Sequence, residues 1–118
     1  MTERYARIVA TGSALPEKVV TNEDLTRFVD TSDEWIRTRT GIGERRMAGP
    51  GETTASLGHR AAQQALTDAG IKASELDLIV VGTTTPDLVF PSTAALIQHL
   101  LGANRRAAFY VQHACSGF

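Results

Sequence analysis

Cys115 is the single thiol in the chain, and its neighbours decide whether it can act as a nucleophile. Residues 109–111, Phe-Tyr-Val, follow two alanines and read as a short buried strand. Small residues come next: Ala114, Ser116 and Gly117 surround the cysteine. A strand that turns sharply into a helix needs such neighbours, because bulkier side chains would clash where the backbone folds tightly. Cys115 then sits at a helix N-terminus, where unpaired N–H groups and the positive dipole end favour thiolate over thiol. The competing reading is a buried, inert cysteine that serves only as a small hydrophobe. A second pair with chemical potential is Trp35 and Arg39, four residues apart and so on one helical face. An indole and a guanidinium on one face can hold a flat aromatic ligand, with the charge also serving a phosphate. The alternative is a cation–π pair, or a tryptophan that anchors the helix to the core.

The elements that position these residues are marked by caps and breakers. Residues 7–11, Arg-Ile-Val-Ala-Thr, read as a first strand that ends at Gly12, with a loop through Pro16. Val19-Val20 is a short extended piece. Thr21-Asn22-Glu23-Asp24 resembles a capping sequence, and Leu25, Phe28 and Val29 after it have the spacing of one apolar helix face. Thr31-Ser32-Asp33-Glu34 fits a T-x-x-E capping box with Thr31 as cap, and opens the helix of Trp35, Ile36 and Arg39 that stops at Gly41. Residues 41–52 are rich in Gly and Pro around Arg45-Arg46 and read as a surface loop without the spacing of a phosphate-binding fingerprint.

Thr53 or Thr54 caps a helix running to Ala69. Its stripe of Leu57, Ala61, Ala65, Leu66 and Ala69 implies close approach to a sheet, and Gly70 ends it. Residues 76–81 are nearly continuous and apolar, the pattern of a central strand buried on both faces. The polar loop Gly82-Thr83-Thr84-Thr85-Pro86-Asp87 follows, where open α/β sheets usually place ligands. Ser92 caps a last helix with Ala95, Leu96, His99 and Leu100 on one stripe and Gly102 at its end. His59 reads as a surface or boundary residue and His99 as packed or hydrogen-bonded. Helix followed by buried strand, repeated, means a layered α/β fold.

Composition narrows the function classes. Twelve basic and 13 acidic residues give a net charge of −1, which provides no footprint for nucleic acid and no basic amphipathic helix for a membrane. No apolar run reaches the ~18–20 residues of a membrane-spanning helix, and Met1-Thr-Glu-Arg-Tyr-Ala-Arg lacks the apolar core of a signal peptide. One cysteine excludes an internal disulfide and a multi-cysteine metal site. These features together point to a cytoplasmic protein. The sequence stops three residues after Cys115, where the expected helix begins, so residues 1–118 are expected to be the N-terminal part of a longer protein.

Several stretches agree on one family. Asp30-Thr31-Ser32-Asp33-Glu34-Trp35-Ile36, Arg39-Thr40-Gly41-Ile42, Thr83-Thr84-Thr85-Pro86-Asp87, Phe90-Pro91-Ser92 and Ala114-Cys115-Ser116-Gly117-Phe118 resemble 3-oxoacyl-[acyl-carrier-protein] synthase III, the bacterial enzyme that initiates type II fatty acid synthesis. The first run is the most specific; the cysteine segment is shared with alkylquinolone and polyketide starter synthases. The resemblance implies a thiolase-like fold, helices packed on a mixed β-sheet, of which this chain is the N-terminal half. It implies a homodimer in which Cys115 is acylated by an acyl-CoA, commonly acetyl-CoA, as substrate with no cofactor. Condensation with malonyl-acyl-carrier protein then releases CO2 and gives a 3-oxoacyl product.

On the same resemblance, Trp35 and Arg39 hold the CoA adenine and Thr31 lies on the same nucleotide site. Phe90 matches the residue that reaches across the dimer interface to limit acyl length. A His and an Asn from the family's second half activate the thiolate and polarise the malonyl carbonyl, which leaves His113 without an expected acid–base role. The family often carries Arg where this chain has Gly43, a departure expected to loosen the loop on the CoA side. Two other readings remain: a thiolase-fold relative making a quinolone or polyketide starter product, and a non-catalytic nucleotide-binding α/β module.

Overall fold

The computed structural model describes residues 5–103 and 106–112. Two compact units divide them: Leu15–Glu52 forms one, and the residues before it join those from Thr53 onward in the other.

The smaller unit is built on an antiparallel ribbon. Strand β1 (Lys18–Thr21) pairs with β2 (Glu44–Met47) in the register Lys18↔Met47 to Thr21↔Glu44. Strand β2 lies inside the stretch read from sequence as loop. Its Glu-Arg-Arg-Met has no alternating apolar face because most of both ribbon faces meets solvent, and only the distant partner strand makes it regular. Thr21 ends β1 and caps α1 (Asn22–Leu25): its hydroxyl accepts from the Asp24 N–H at 3.1 Å, and the Asp24 carboxylate accepts from the Thr21 N–H at 3.0 Å. The capping sequence therefore works as read, but the helix is one turn long. Phe28 and Val29 lie beyond it and are exposed, so the expected apolar face does not form. Helix α2 (Asp33–Thr40) follows and ends at Gly41, whose φ of 73° is the left-handed conformation that glycine tolerates best.

The larger unit holds a parallel pair, β3 (Leu78–Gly82) with β4 (Ala107–Val111), joined through α4 (Thr93–Leu101), a βαβ arrangement. Helix α3 (Thr54–Ala69) is capped by Thr53 and stopped by Gly70, as expected. It packs chiefly on α4, rather than on the sheet. Gly58 makes this possible, because a Cβ there would lie 2.7 Å from Ile97 Cδ1. A groove of about 470 Å³ opens between α3, α4 and β3, lined by Ala62, Leu66, Ile79, Val81 and Leu101 among others.

Four sequence expectations fail in this unit. Residues 7–11 carry no ladder among the described residues: a strand needs a partner edge, which an apolar run cannot supply by itself. Strand β3 alternates instead of being buried on both faces, with Val80 53% exposed, because one face of a two-stranded sheet has no layer on it here. In the same way Phe109 of β4 is half-exposed rather than buried. Helix α4 begins at Ser92 and ends at Gly102 as read, but its buried face is Thr93, Ala94 and Ile97, which leaves His99 exposed. Its stripe is rotated because α3 and the sheet bracket it on two sides.

Candidate functional site

Helix α2 carries the best-formed candidate site. Ser32, rather than Thr31, is its cap: the Ser32 hydroxyl accepts from the Trp35 N–H at 3.1 Å. Asp33 and Glu34 occupy the first turn and Arg37 and Arg39 the last, so all four charges complement the helix dipole. Ile36 is buried on the inner face, while Trp35 is 55% exposed on the outer one. The Arg39 guanidinium carbon lies 4.8 Å from the Trp35 ring centroid. The two side chains thus meet on one face, and in the free chain they form the cation–π pair that was the alternative reading. That spacing leaves no room for a purine between them, so a base held between the two requires Arg39 to swing aside. Thr31 precedes the helix and is partly buried, and its hydroxyl oxygen is enclosed without a hydrogen-bond partner among the described residues.

Asn22 holds this helix to the ribbon. It is 1% exposed. Its Nδ2 donates to Asp33 Oδ1 at 2.8 Å and to the Ile42 carbonyl at 2.7 Å, and its Oδ1 accepts from Arg45 Nη2 at 2.6 Å. The orientation of the amide is fixed, since its two acceptors cannot donate and the guanidinium cannot accept. Asp33 also takes the Arg37 Nε on both oxygens, at 2.9 and 2.8 Å. The Asn22 hydrogen bond, and then Arg37, hold the Asp33 carboxyl below its usual range, with partial desolvation opposing them. Sequence reasoning took Asn22 as one letter of a capping sequence, and nothing in the pattern distinguishes a buried asparagine from an exposed one.

At Gly43, where the loop was expected to loosen, another side chain fills the space. A Cβ at this position would lie 2.8 Å from both terminal nitrogens of Arg37, so the Arg37 guanidinium occupies the space a side chain would need. The Gly43 carbonyl also accepts from the Asn22 N–H at 3.2 Å.

In the larger unit, the loop after β3 is tied to a helix start. Asp87 accepts from the N–H groups of Thr54 and Ala55, both at 2.8 Å, and the Thr54 hydroxyl donates to the Thr85 carbonyl at 2.7 Å. Asp87 is thus a second cap for α3, a role its place in a polar loop did not reveal. Phe90 is 88% exposed, next to a cis bond to Pro91 at the start of α4. His59 is half-buried on α3, with Nε2 enclosed and unpartnered among the described residues. Cys115 and His113 lie outside the described residues; β4 ahead of them forms as a strand, though without the expected burial of Phe109. Among the described residues no group of His, Cys, Asp and Glu could hold a metal ion, and no helix is long and apolar enough to cross a membrane.

A protein of Xylella fastidiosa (strain 9a5c) named β-ketoacyl-[acyl-carrier-protein] synthase III is 64% identical over 114 residues, 97% of this chain and 35% of that protein. One of the same name from Xanthomonas campestris pv. campestris (strain 8004) is 59% identical over the same shares. The crystal structure of 3-oxoacyl-[acyl-carrier-protein] synthase III from Aquifex aeolicus VF5 superposes with a TM-score of 0.91 at 52% identity, over 94% of this chain and 36% of that one. Over almost its whole length the chain is similar to proteins named β-ketoacyl-[acyl-carrier-protein] synthase III. Its fold is thiolase-like α/β. The priming β-ketosynthase of the R1128 polyketide pathway superposes with a TM-score of 0.93 at 40% identity, over 98% of this chain and 34% of that one. No family model matches the chain. The chain spans about a third of the length of the curated relatives it matches.

Proposed function

We propose that the full-length protein carrying this sequence is a starter condensing enzyme of type II fatty acid synthesis, working as a cytoplasmic homodimer. The Cys115 thiolate attacks the thioester carbonyl of an acyl-CoA, with acetyl-CoA the first candidate, and CoA leaves. Malonyl-acyl-carrier protein then loses CO2, and the resulting carbanion attacks the acyl carbonyl. The C–C bond forms as the Cys115 thiolate departs, and the product is a 3-oxoacyl chain on the carrier protein.

The observation that carries this reading is the exposed Trp35–Arg39 pair on a helix capped at both ends. It supports an adenine stacked on the indole and the cation released to a phosphate. Thr31 stands just ahead of that helix. The exposed Phe90 supports an apolar contact supplied from this chain to another surface, as the dimer reading needs. Incubation of the full-length protein with acetyl-CoA and malonyl-acyl-carrier protein is expected to release CO2 and yield the acetoacetyl carrier. Carrier-bound malonate that stays intact under turnover conditions would contradict the proposal.

A second reading is favoured by the likeness to the R1128 priming ketosynthase: a polyketide starter synthase using the same cysteine chemistry. Competition between acetyl-CoA and longer acyl-CoA starters, and between carrier proteins from the two pathways, separates the two.

A further inference from the structure

The hydrogen bonds of Asn22 reach both ends of the helix that bears Trp35 and Arg39. Asp33, which accepts from Asn22 Nδ2, is the first residue of α2; Ile42, whose carbonyl accepts the other hydrogen, follows its C-cap Gly41. The third bond, from Arg45, ties the amide to β2, and the Asn22 backbone joins β1 to α1. A helix of eight residues has too few internal bonds to hold its own position in water. Besides the amide, its described anchors are buried Ile36 and the hydroxyl cap of Ser32. The amide has both hydrogens donated and its oxygen accepting from a cation, so no alternative partner competes for it. Rotation of α2 by a fraction of a turn would aim Trp35 and Arg39 away from a common ligand, and among the described residues the Asn22 amide is the side chain bonded at both helix ends at once.

We infer that Asn22 is a positioning residue for acyl-CoA recognition, acting through α2 on the Trp35–Arg39 face. The inference rests on the reading of that face as the nucleotide platform. Asn22 touches no ligand; it sets where the indole and guanidinium stand. Its effect is confined to donors that carry the adenine nucleotide and is absent for a donor that ends at the pantetheine.

The test assays Asn22→Ala, Asp33→Ala and Trp35→Ala in the full-length protein with two donors, acetyl-CoA and acetyl-pantetheine. Asp33→Ala cuts the same clamp from an exposed carboxylate, so it stays informative where Asn22→Ala fails to fold. For Asn22→Ala and Asp33→Ala the acetyl-CoA KM is expected to rise on the order of tenfold, the scale of losing a charge-assisted hydrogen bond, with kcat at saturation nearly unchanged. Both are expected to match the parent with acetyl-pantetheine. Equal losses with both donors would mean general destabilisation and would overturn the inference, as would a parent-like KM for acetyl-CoA in both clamp variants. Trp35→Ala separates the two levels. A raised acetyl-CoA KM in Trp35→Ala beside parental values in the clamp variants overturns the positioning role alone. An unchanged KM in Trp35→Ala overturns the nucleotide platform and this inference with it.

Discussion

Trp35 is the one tryptophan in the chain, so its emission reports the candidate site directly. Stacking a base on an aromatic contributes about 1–3 kcal/mol, so Trp35→Ala should raise the acyl-CoA KM roughly 5- to 150-fold. The value of kcat should change little, because the adenine is remote from the reacting carbon and its binding is uniform. A lowered Tm with an unchanged KM would make Trp35 a structural anchor instead. The Asp33 carboxyl gives a second residue-level prediction. Its folded-state pKa lies below the ordinary 3.8, so its bonds to Asn22 and Arg37 stabilise the fold above that value and are lost as pH falls through the lowered one. Asp24, held down by the Thr21 N–H and hydroxyl, behaves in the same sense. Acrylamide quenching of Trp35 should therefore be flat from about pH 5 to about pH 8 and rise only in acid below the carboxylate range. A transition near neutrality would point to a histidine in place of Asp33. The Trp35–Arg39 pairing was legible because period and caps place side chains on faces without tertiary knowledge. Asn22 was not, since its burial depends on β2, a strand whose own letters read as loop.

Capped helices were legible as elements, and their ends were read closely: Thr53 to Gly70 and Ser92 to Gly102 frame α3 and α4 as the letters suggest. Faces and ladders were less so, because they depend on neighbours. The stripe of α4 is turned by contact with α3, and residues 7–11 lack a paired edge. Asp87 shows the same limit in a loop, where its acid serves a helix that begins 33 residues earlier. Replacing it with alanine leaves two N–H groups of α3 without acceptors, and loss of a helix cap costs about 0.5–2 kcal/mol. Urea unfolding of Asp87→Ala should show a lowered midpoint, with Asp87→Asn closer to the parent; an unchanged midpoint would mean that Thr53 alone suffices as cap. Gly12 offers a sharper contrast. A Cβ there would sit 2.1 Å from the Ala61 carbonyl oxygen and 2.7 Å from the Ala65 nitrogen, both backbone atoms. Gly12→Ala should therefore cost on the order of 1–3 kcal/mol by overpacking, and a neutral result would show that this approach is not maintained in solution.

Across the molecule, the apolar surface is distributed as in a chain that packs against something more. Ile8 is 85% exposed, and Tyr5, Phe28, Val80, Val89 and Phe109 are exposed as well. Produced as an isolated polypeptide, these 118 residues are expected to bind hydrophobic dye, associate, and show weak near-ultraviolet dichroism. A dispersed amide spectrum and a cooperative melt from a monomer would contradict that. The α/β class and the family were legible over the whole length, since motif spacing survives without any knowledge of packing. The proposed chemistry converges on Cys115, and the most direct measurement is to find where the acyl group goes. Full-length protein incubated with isotopically labelled acetyl-CoA, digested and mapped by mass spectrometry, should carry the label on the peptide containing Cys115, and Cys115→Ala should carry none. Label on any other residue, or label undiminished in Cys115→Ala, would contradict the assignment of Cys115 as the nucleophile.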